Sequence, residues 1–233
     1  MTFHISPLRL EYFEQLPSHA RRCLFWEIDA QAVASDYSPD SEFEKEAWLS
    51  MVMLEWGSCG KLALVEQSAG EFDAEDLCVG YALYSPPRLV PRAQRMPTGP
   101  VSADAVLLTS VGVETGQSQE LSELLIAQVV GELVRRGVRA LEAFGRTAQA
   151  LELLDGQPHP ALEAVAAVGD CTFERCMIDA TLLQSAGFAV VAPHPYFPRL
   201  RLELDKGLGW KAEVEAALER LLQEARLEQV IEV

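Results

Sequence analysis

Between Ala105 and Phe144 the spacing of apolar residues changes twice. AVLLTSVGV, residues 105–113, is a run of Val and Leu interrupted only near Thr109 and Ser110, the pattern of a buried strand. ETGQSQ breaks the run. From Ser118 onward Leu121, Leu124, Leu125, Val129, Leu133 and Val134 recur at intervals of three and four. That spacing predicts an amphipathic helix, stopped by Gly137 after Arg135 and Arg136. VRALEAF then returns to a strand pattern. Strand, helix and strand in this order predict a parallel pair joined by a crossover helix. The free backbone N–H groups of that helix would lie beside the sheet, where they suit an anionic ligand.

The same reading extends along the chain. FHISPL predicts a short strand, and Glu11 to about Ala34 a helical region broken at Pro17. Ser41–Trp56 predicts a second helix with Phe43, Ala47, Met51 and Leu54 on one face and Gly57 as its stop. KLALVEQ and LCVGYALYS read as an antiparallel hairpin across the acidic linker SAGEFDAED. PPRLVPRAQRMPTGP is rich in proline and excludes a central strand or helix. A partly helical insertion is expected at about 145–175. Thr172–Ala186 reads as a helix ended by Gly187, FAVVAPHPYFPRLRLEL as two strands around a turn, and about 210–227 as a C-terminal helix through which a homodimer is conceivable. The whole, 1–233, reads as one α/β (α+β) domain.

Composition narrows the function. The 233 residues are 49% hydrophobic and carry a formal net charge of −16, which argues against unassisted binding to nucleic acid or an anionic membrane. No apolar run reaches membrane-spanning length, and the N-terminus lacks the basic, apolar, small-residue order of a signal peptide, so a cytoplasmic location is expected. The five cysteines, Cys23, Cys59, Cys78, Cys171 and Cys176, are scattered and contain no CxxC pair. Buried reduced thiols are therefore expected, and no metal, because Cys171, Cys176 and His194 lack the spacing of a ligand set.

AVLLTSVGV with its helix through Gly137, and LLQSAGF followed by paired strands, resemble the GNAT N-acetyltransferase superfamily; RRCLFWE, LEWGSCG, GYALYSPP and YFPRLRLEL resemble an uncharacterised actinobacterial branch of it. The resemblance covers most of residues 3–204. It implies a mixed, mainly antiparallel sheet with one central parallel pair, flanked by helices, whose parallel strands splay to admit acetyl-CoA. It implies transfer of an acetyl group to a small amine or a protein amine. The alternative is a GNAT-like binding or regulatory protein that keeps the fold without catalysis.

In the family a turn patterned R/Q-x-x-G-x-G/A holds the pyrophosphate. Here that place is taken by Gln117, Ser118, Gln119, Glu120, Leu121 and Ser122, with Glu120 and Ser122 at the glycine positions. Equally, Ser118 caps the helix and Glu120 complements its dipole, leaving the terminus satisfied by the protein itself. The family's frequent tyrosine acid is matched by Leu183, which has no acidic proton. Val111, Gly112 and Val113 are the expected site for the thioester carbonyl, with Gly112 suited to a bulge. Candidate catalytic residues are Glu142, a carboxylate in mid-strand, Glu27 beside Phe25 and Trp26, and Tyr84, which with Tyr81 is placed to line an acceptor cavity; Glu55 is a further base candidate. Thr109, Ser110, His194 and the arginines Arg88, Arg92 and Arg95 are weaker candidates, each with an ordinary packing or surface role as the alternative.

Overall fold

A computed structural model describes residues 3–28, 40–65, 76–114, 119–155 and 158–204. In chain order these carry β1 (Phe3–Pro7), α1 (Ser18–Arg22), α2 (Ser41–Trp56), β2 (Gly60–Val65), β3 (Leu77–Ser85), β4 (Ala105–Val113), α3 (Gln119–Arg135), β5 (Ala140–Arg146), α4 (Pro160–Ala164), α5 (Phe173–Cys176), β6 (Ile178–Asp179), α6 (Ala180–Ser185), β7 (Ala189–Ala192) and β8 (Arg199–Glu203). Turns of 3-10 helix precede α1 at Leu10–Gln15 and follow β5 at Ala148–Asp155. The expected C-terminal helix, and with it the dimer contact, lies outside the described residues.

The sheet runs β1-β2-β3-β4-β5-β8-β7. Its pairs are antiparallel apart from β4–β5, which run parallel as the strand–helix–strand pattern requires, and a short parallel contact of β5 with β6. Strand alternation sends apolar side chains to both faces, and each face has its own core. On one, Leu62, Tyr81, Leu83, Leu107 and Phe144 pack with α1, α2 and the residues after β5. On the other, Ala82, Tyr84, Leu108 and Leu141 pack beneath α3 and α6. The sheet is therefore the middle of three layers.

Local signals explain most boundaries. The Asp40 carboxylate accepts the Phe43 N–H at 3.3 Å to begin α2, and Gly137, with φ of +74°, takes the left-handed conformation that ends α3. Three expectations change. The buried face of α2 is Lys45, Trp48, Leu49 and Val52, while Phe43 and Leu54 are exposed at 66% and 88%. This helix is apolar on two sides, and Trp48 decides between them: its indole N–H donates to the Leu89 carbonyl at 2.8 Å. The region after Glu11 is a 3-10 turn and the short α1, because Cys23–Trp26 leave the helix to enter the core. The single helix expected over 172–186 is broken, because Ile178 and Asp179 extend along β5 and the Asp179 carboxylate starts α6 afresh by accepting the Thr181 N–H at 2.8 Å.

A cleft between parallel strands as the candidate active site

β4 and β5 pair over three residues only, from Ala105 with Ala140 to Leu107 with Glu142. Beyond them the strands part. A bulge at Thr109 starts the divergence: β4 shifts register against β3 there, and the Thr109 hydroxyl turns inward to donate to the Leu83 carbonyl at 3.0 Å. That hydroxyl is structural. Past the bulge Val111, Gly112 and Val113 are half-buried.

The hydrogen-bond alternation shows which amides face the gap. Glu114 N–H donates to Val79 O at 2.9 Å, so Gly112 and Ser110, two and four residues earlier, also turn their N–H groups towards β3. Val111 and Val113 turn theirs the other way, towards the parting strands. Gly112 is required by its neighbour, since a Cβ there would sit 2.5 Å from the Tyr81 ring. Tyr81 thus lies directly over the stretch that carries both amides.

The opposite wall is β5 with β6. Gly145 and Thr147 direct their N–H groups to Pro198 and Tyr196 at 2.9 and 3.0 Å, on the β8 side. Ile178 and Asp179, which pair with Gly145 and Arg146, therefore lie on the β4 side, inside the gap beyond Phe144.

At the mouth stands the first turn of α3. Gln117 and Ser118 lie outside the described residues. Gln119 and Glu120 are exposed, whereas Leu121 and Ser122 are buried. Gln119 donates to Glu123 at 3.1 Å and to the Ser185 hydroxyl at 3.4 Å, and Ser185 donates to Glu123 at 2.8 Å, so a polar clasp joins α3 to α6. Two carboxylates, Glu120 and Glu123, thus occupy this turn. Leu183 of α6 is fully buried in the α3-side core.

The three catalytic candidates are not brought together. Glu142 has no exposed surface, and its carboxylate accepts from Arg201 at 3.0 Å, from the Ser102 N–H at 3.2 Å and from Arg199. Burial alone would push this carboxyl up, but the hydrogen bonds from Ser102 and Arg199 outweigh it and hold Glu142 below the usual carboxylate value. Both oxygens are committed, so the expected role as base is replaced by a structural one. The Tyr84 hydroxyl lies on the other face, 3.3 Å from the Ser58 hydroxyl and near Glu132, which pairs with Lys61. Burial pushes its phenol far above the ordinary value, and it does not line the cleft. Glu27 is buried against Lys45 at 2.5 Å; burial disfavours the ammonium, but Glu27 outweighs it and raises the lysine pKa. Its second oxygen, Oε2, has no hydrogen-bond partner among the described residues, and Glu27 is close enough to Tyr81 to act on it electrostatically.

The weaker candidates have structural explanations. Arg92 is buried, with its guanidinium 4.1 Å from the Phe25 ring centre and a hydrogen bond to Ala164 O at 3.0 Å. Arg88 pairs with Glu55 at 3.4 Å, near the end of β4 away from Val111–Val113. The Nδ1 atom of His194 accepts the Tyr196 and Phe197 N–H groups at 3.2 and 3.0 Å and so shapes the β7–β8 turn. With Arg95, His159 and Glu163 it lines a surface pocket of about 510 Å³. Cys59 and Cys78 are the expected inert thiols, pushed by burial up to about 12 and about 11.

Sequence reading missed the partners of Glu142. Their signal was present, since Arg199 and Arg201 are two apart in a strand and so share a face. It missed Lys45 by choosing the other face of α2.

No family model matches the chain, and no curated protein matches it. Solved structures do align with it. An N-acetyltransferase from Staphylococcus aureus is 13% identical with a TM-score of 0.49, over 88% of this chain and 100% of that one. An agmatine N-acetyltransferase is 14% identical with a TM-score of 0.49, over 87% and 99%. The PaiA N-acetyltransferase from Thermoplasma acidophilum, in complex with coenzyme A, is 11% identical with a TM-score of 0.46, over 87% and 99%. The chain's own strand order, its one central parallel pair and the parting of that pair give it a GNAT-like fold.

Proposed function

We propose that the protein is an N-acetyltransferase that takes its acetyl group from acetyl-CoA and passes it to an amine. The observation that carries this is the parting of β4 and β5 beyond Leu107 and Glu142, with the Val111 and Val113 amides turned into the gap and Gly112 left bare beneath Tyr81. The residues of this wall fit a thioester arm laid along the open edge of β4, where the Val111 and Val113 amides would hold it beside Tyr81, which covers Gly112. When bound, acetyl-CoA supplies an activated acyl group. Val111 and Val113 then orient the carbonyl and stabilise its developing negative charge. Glu27, through Oε2, is the assigned acceptor of the amine proton, directly or through water, and Lys45 holds it in place. The acidic surface favours a cationic amine as acceptor.

The clasp of Gln119, Ser185 and Glu123 favours a second reading, a GNAT-like binding protein without turnover, because it sets carboxylates where a pyrophosphate would lie. Calorimetric titration with acetyl-CoA, followed by mass spectrometry of a panel of polyamines and lysine- or N-terminal peptides, separates the two. Binding with acetylated product supports transfer, and Glu27→Gln should then lower kcat with little change in KM. Binding without product, or failure to bind acetyl-CoA, removes the transferase reading and supports the second.

A further inference from the structure

Three of the five cysteines, 148 and 153 residues apart from end to end of the set, converge on one histidine. His19 and Cys23 sit one helical turn apart at the end of α1, on the same face. Cys171 closes a tight turn in which Val168 and Cys171 exchange backbone hydrogen bonds at 3.1 and 3.0 Å, and Cys176 ends α5. The ligand atoms of His19, Cys23 and Cys176 all lie within 4.8 Å of one another, and the Cys171 sulfur, 4.0 Å from the Arg22 carbonyl oxygen, lies beside them, close enough to act electrostatically on His19. The three thiols are buried, at 6–7% exposure.

We propose that His19, Cys23, Cys171 and Cys176 form a tetrahedral zinc site. Zinc bonds of ~2.3 Å to sulfur and ~2.0–2.1 Å to nitrogen place neighbouring ligands of a tetrahedron ~3.8 Å apart for two sulfurs and ~3.6 Å apart for sulfur and nitrogen. Cys23 Sγ lies 3.4 Å from Cys176 Sγ, and Cys176 Sγ lies 3.6 Å from His19 Nε2. These are tetrahedron edges within a few tenths of an ångström, and the two sulfurs are well outside bonding distance for a disulfide. Three cysteines and a histidine are also a donor set that soft, four-coordinate zinc prefers. Four protein ligands leave no open position, so the ion is structural. It would fasten α1 to the segment that ends in β6, and thereby fix the chain just before Glu27 and the far wall of the cleft. The site stands independently of the acetyltransferase proposal.

The test is elemental analysis of protein purified under reducing conditions in zinc-containing medium, with cobalt added to the apo-protein. About one zinc per chain is expected, with the intense visible bands of tetrahedral thiolate-bound Co²⁺. His19→Ala and Cys176→Ser should lower zinc affinity by roughly tenfold or more, at least the loss seen for outer-shell partners. Cys59→Ser should leave the stoichiometry unchanged. Protein without zinc whose reduced apo form gives no thiolate–cobalt bands overturns the proposal. So does a native Cys23–Cys176 disulfide found by peptide mapping in metal-free protein. The cobalt titration of the unaltered chain decides the matter even if the variants fail to fold.

Discussion

Glu142 shows how much a single residue's neighbours change its meaning. A carboxylate between Leu141 and Ala143 in a strand is conspicuous in the sequence; that Arg199 and Arg201 meet it from β8 depends on a register between segments nearly sixty residues apart. Glu142→Gln should therefore act on stability, lowering the unfolding free energy by about 3 kcal/mol in urea denaturation because two arginines lose their charge partner. The pH dependence has a definite sign. With its folded pKa below the unfolded value of about 4.3, Glu142 contributes stability above that value and loses it as pH falls through the lower, folded one. The acid limb of the variant's stability profile should lack this component. Unchanged stability with lost turnover would restore Glu142 as the base. At Gly112 the prediction is steric: Gly112→Ala should cost about 1–3 kcal/mol, and a double-mutant cycle with Tyr81→Ala should be strongly non-additive. Simple additivity would mean that Tyr81 does not lie over the strand.

At the scale of elements, those with a clear period and a stop were legible. Both strands of the parallel pair, α3 ending before Gly137, and α2 from Ser41 to Trp56 all match their sequence patterns. Where two apolar stripes compete, as on α2, periodicity alone does not say which one is buried; where a helix pattern hides a tertiary contact, as at Ile178 and Asp179, propensity gives way to the sheet. The first turn of α3 follows the same lesson. Ser122, at a glycine position of the phosphate-binding pattern, is buried and belongs to the helix, so replacing it with glycine would mainly weaken α3. The carboxylates are the residues to change. Glu120→Gln combined with Glu123→Gln should raise CoA affinity several-fold, since each charge costs on the order of 1 kcal/mol against a solvated pyrophosphate. The loss of dipole complementarity, about 0.3–1 kcal/mol per charge, is one the fold should survive. Equal CoA affinity by titration calorimetry for variant and unaltered protein would place the pyrophosphate elsewhere.

For the whole molecule, the three-layer arrangement was readable because it follows from alternating strands and amphipathic helices, whereas the contents of the cleft were not. The parting of β4 and β5 was expected only through the family resemblance, and the bulge expected at Gly112 lies instead at Thr109; these and the entry of β6 arise from long-range pairing, which no local pattern of residues records. Together they underlie the proposal that acetyl-CoA would lie in the gap between the parallel strands, held by the amides that β4 does not share with β3. The most direct measurement is a titration of isotopically labelled protein with acetyl-CoA, followed through the backbone amides of β4. The account predicts saturable shifts and slowed hydrogen exchange at Val111 and Val113, with Gly112 and Ser110, bonded to β3, much less changed in exchange. Saturable binding that leaves Val111 and Val113 untouched, or no binding at all, would contradict it.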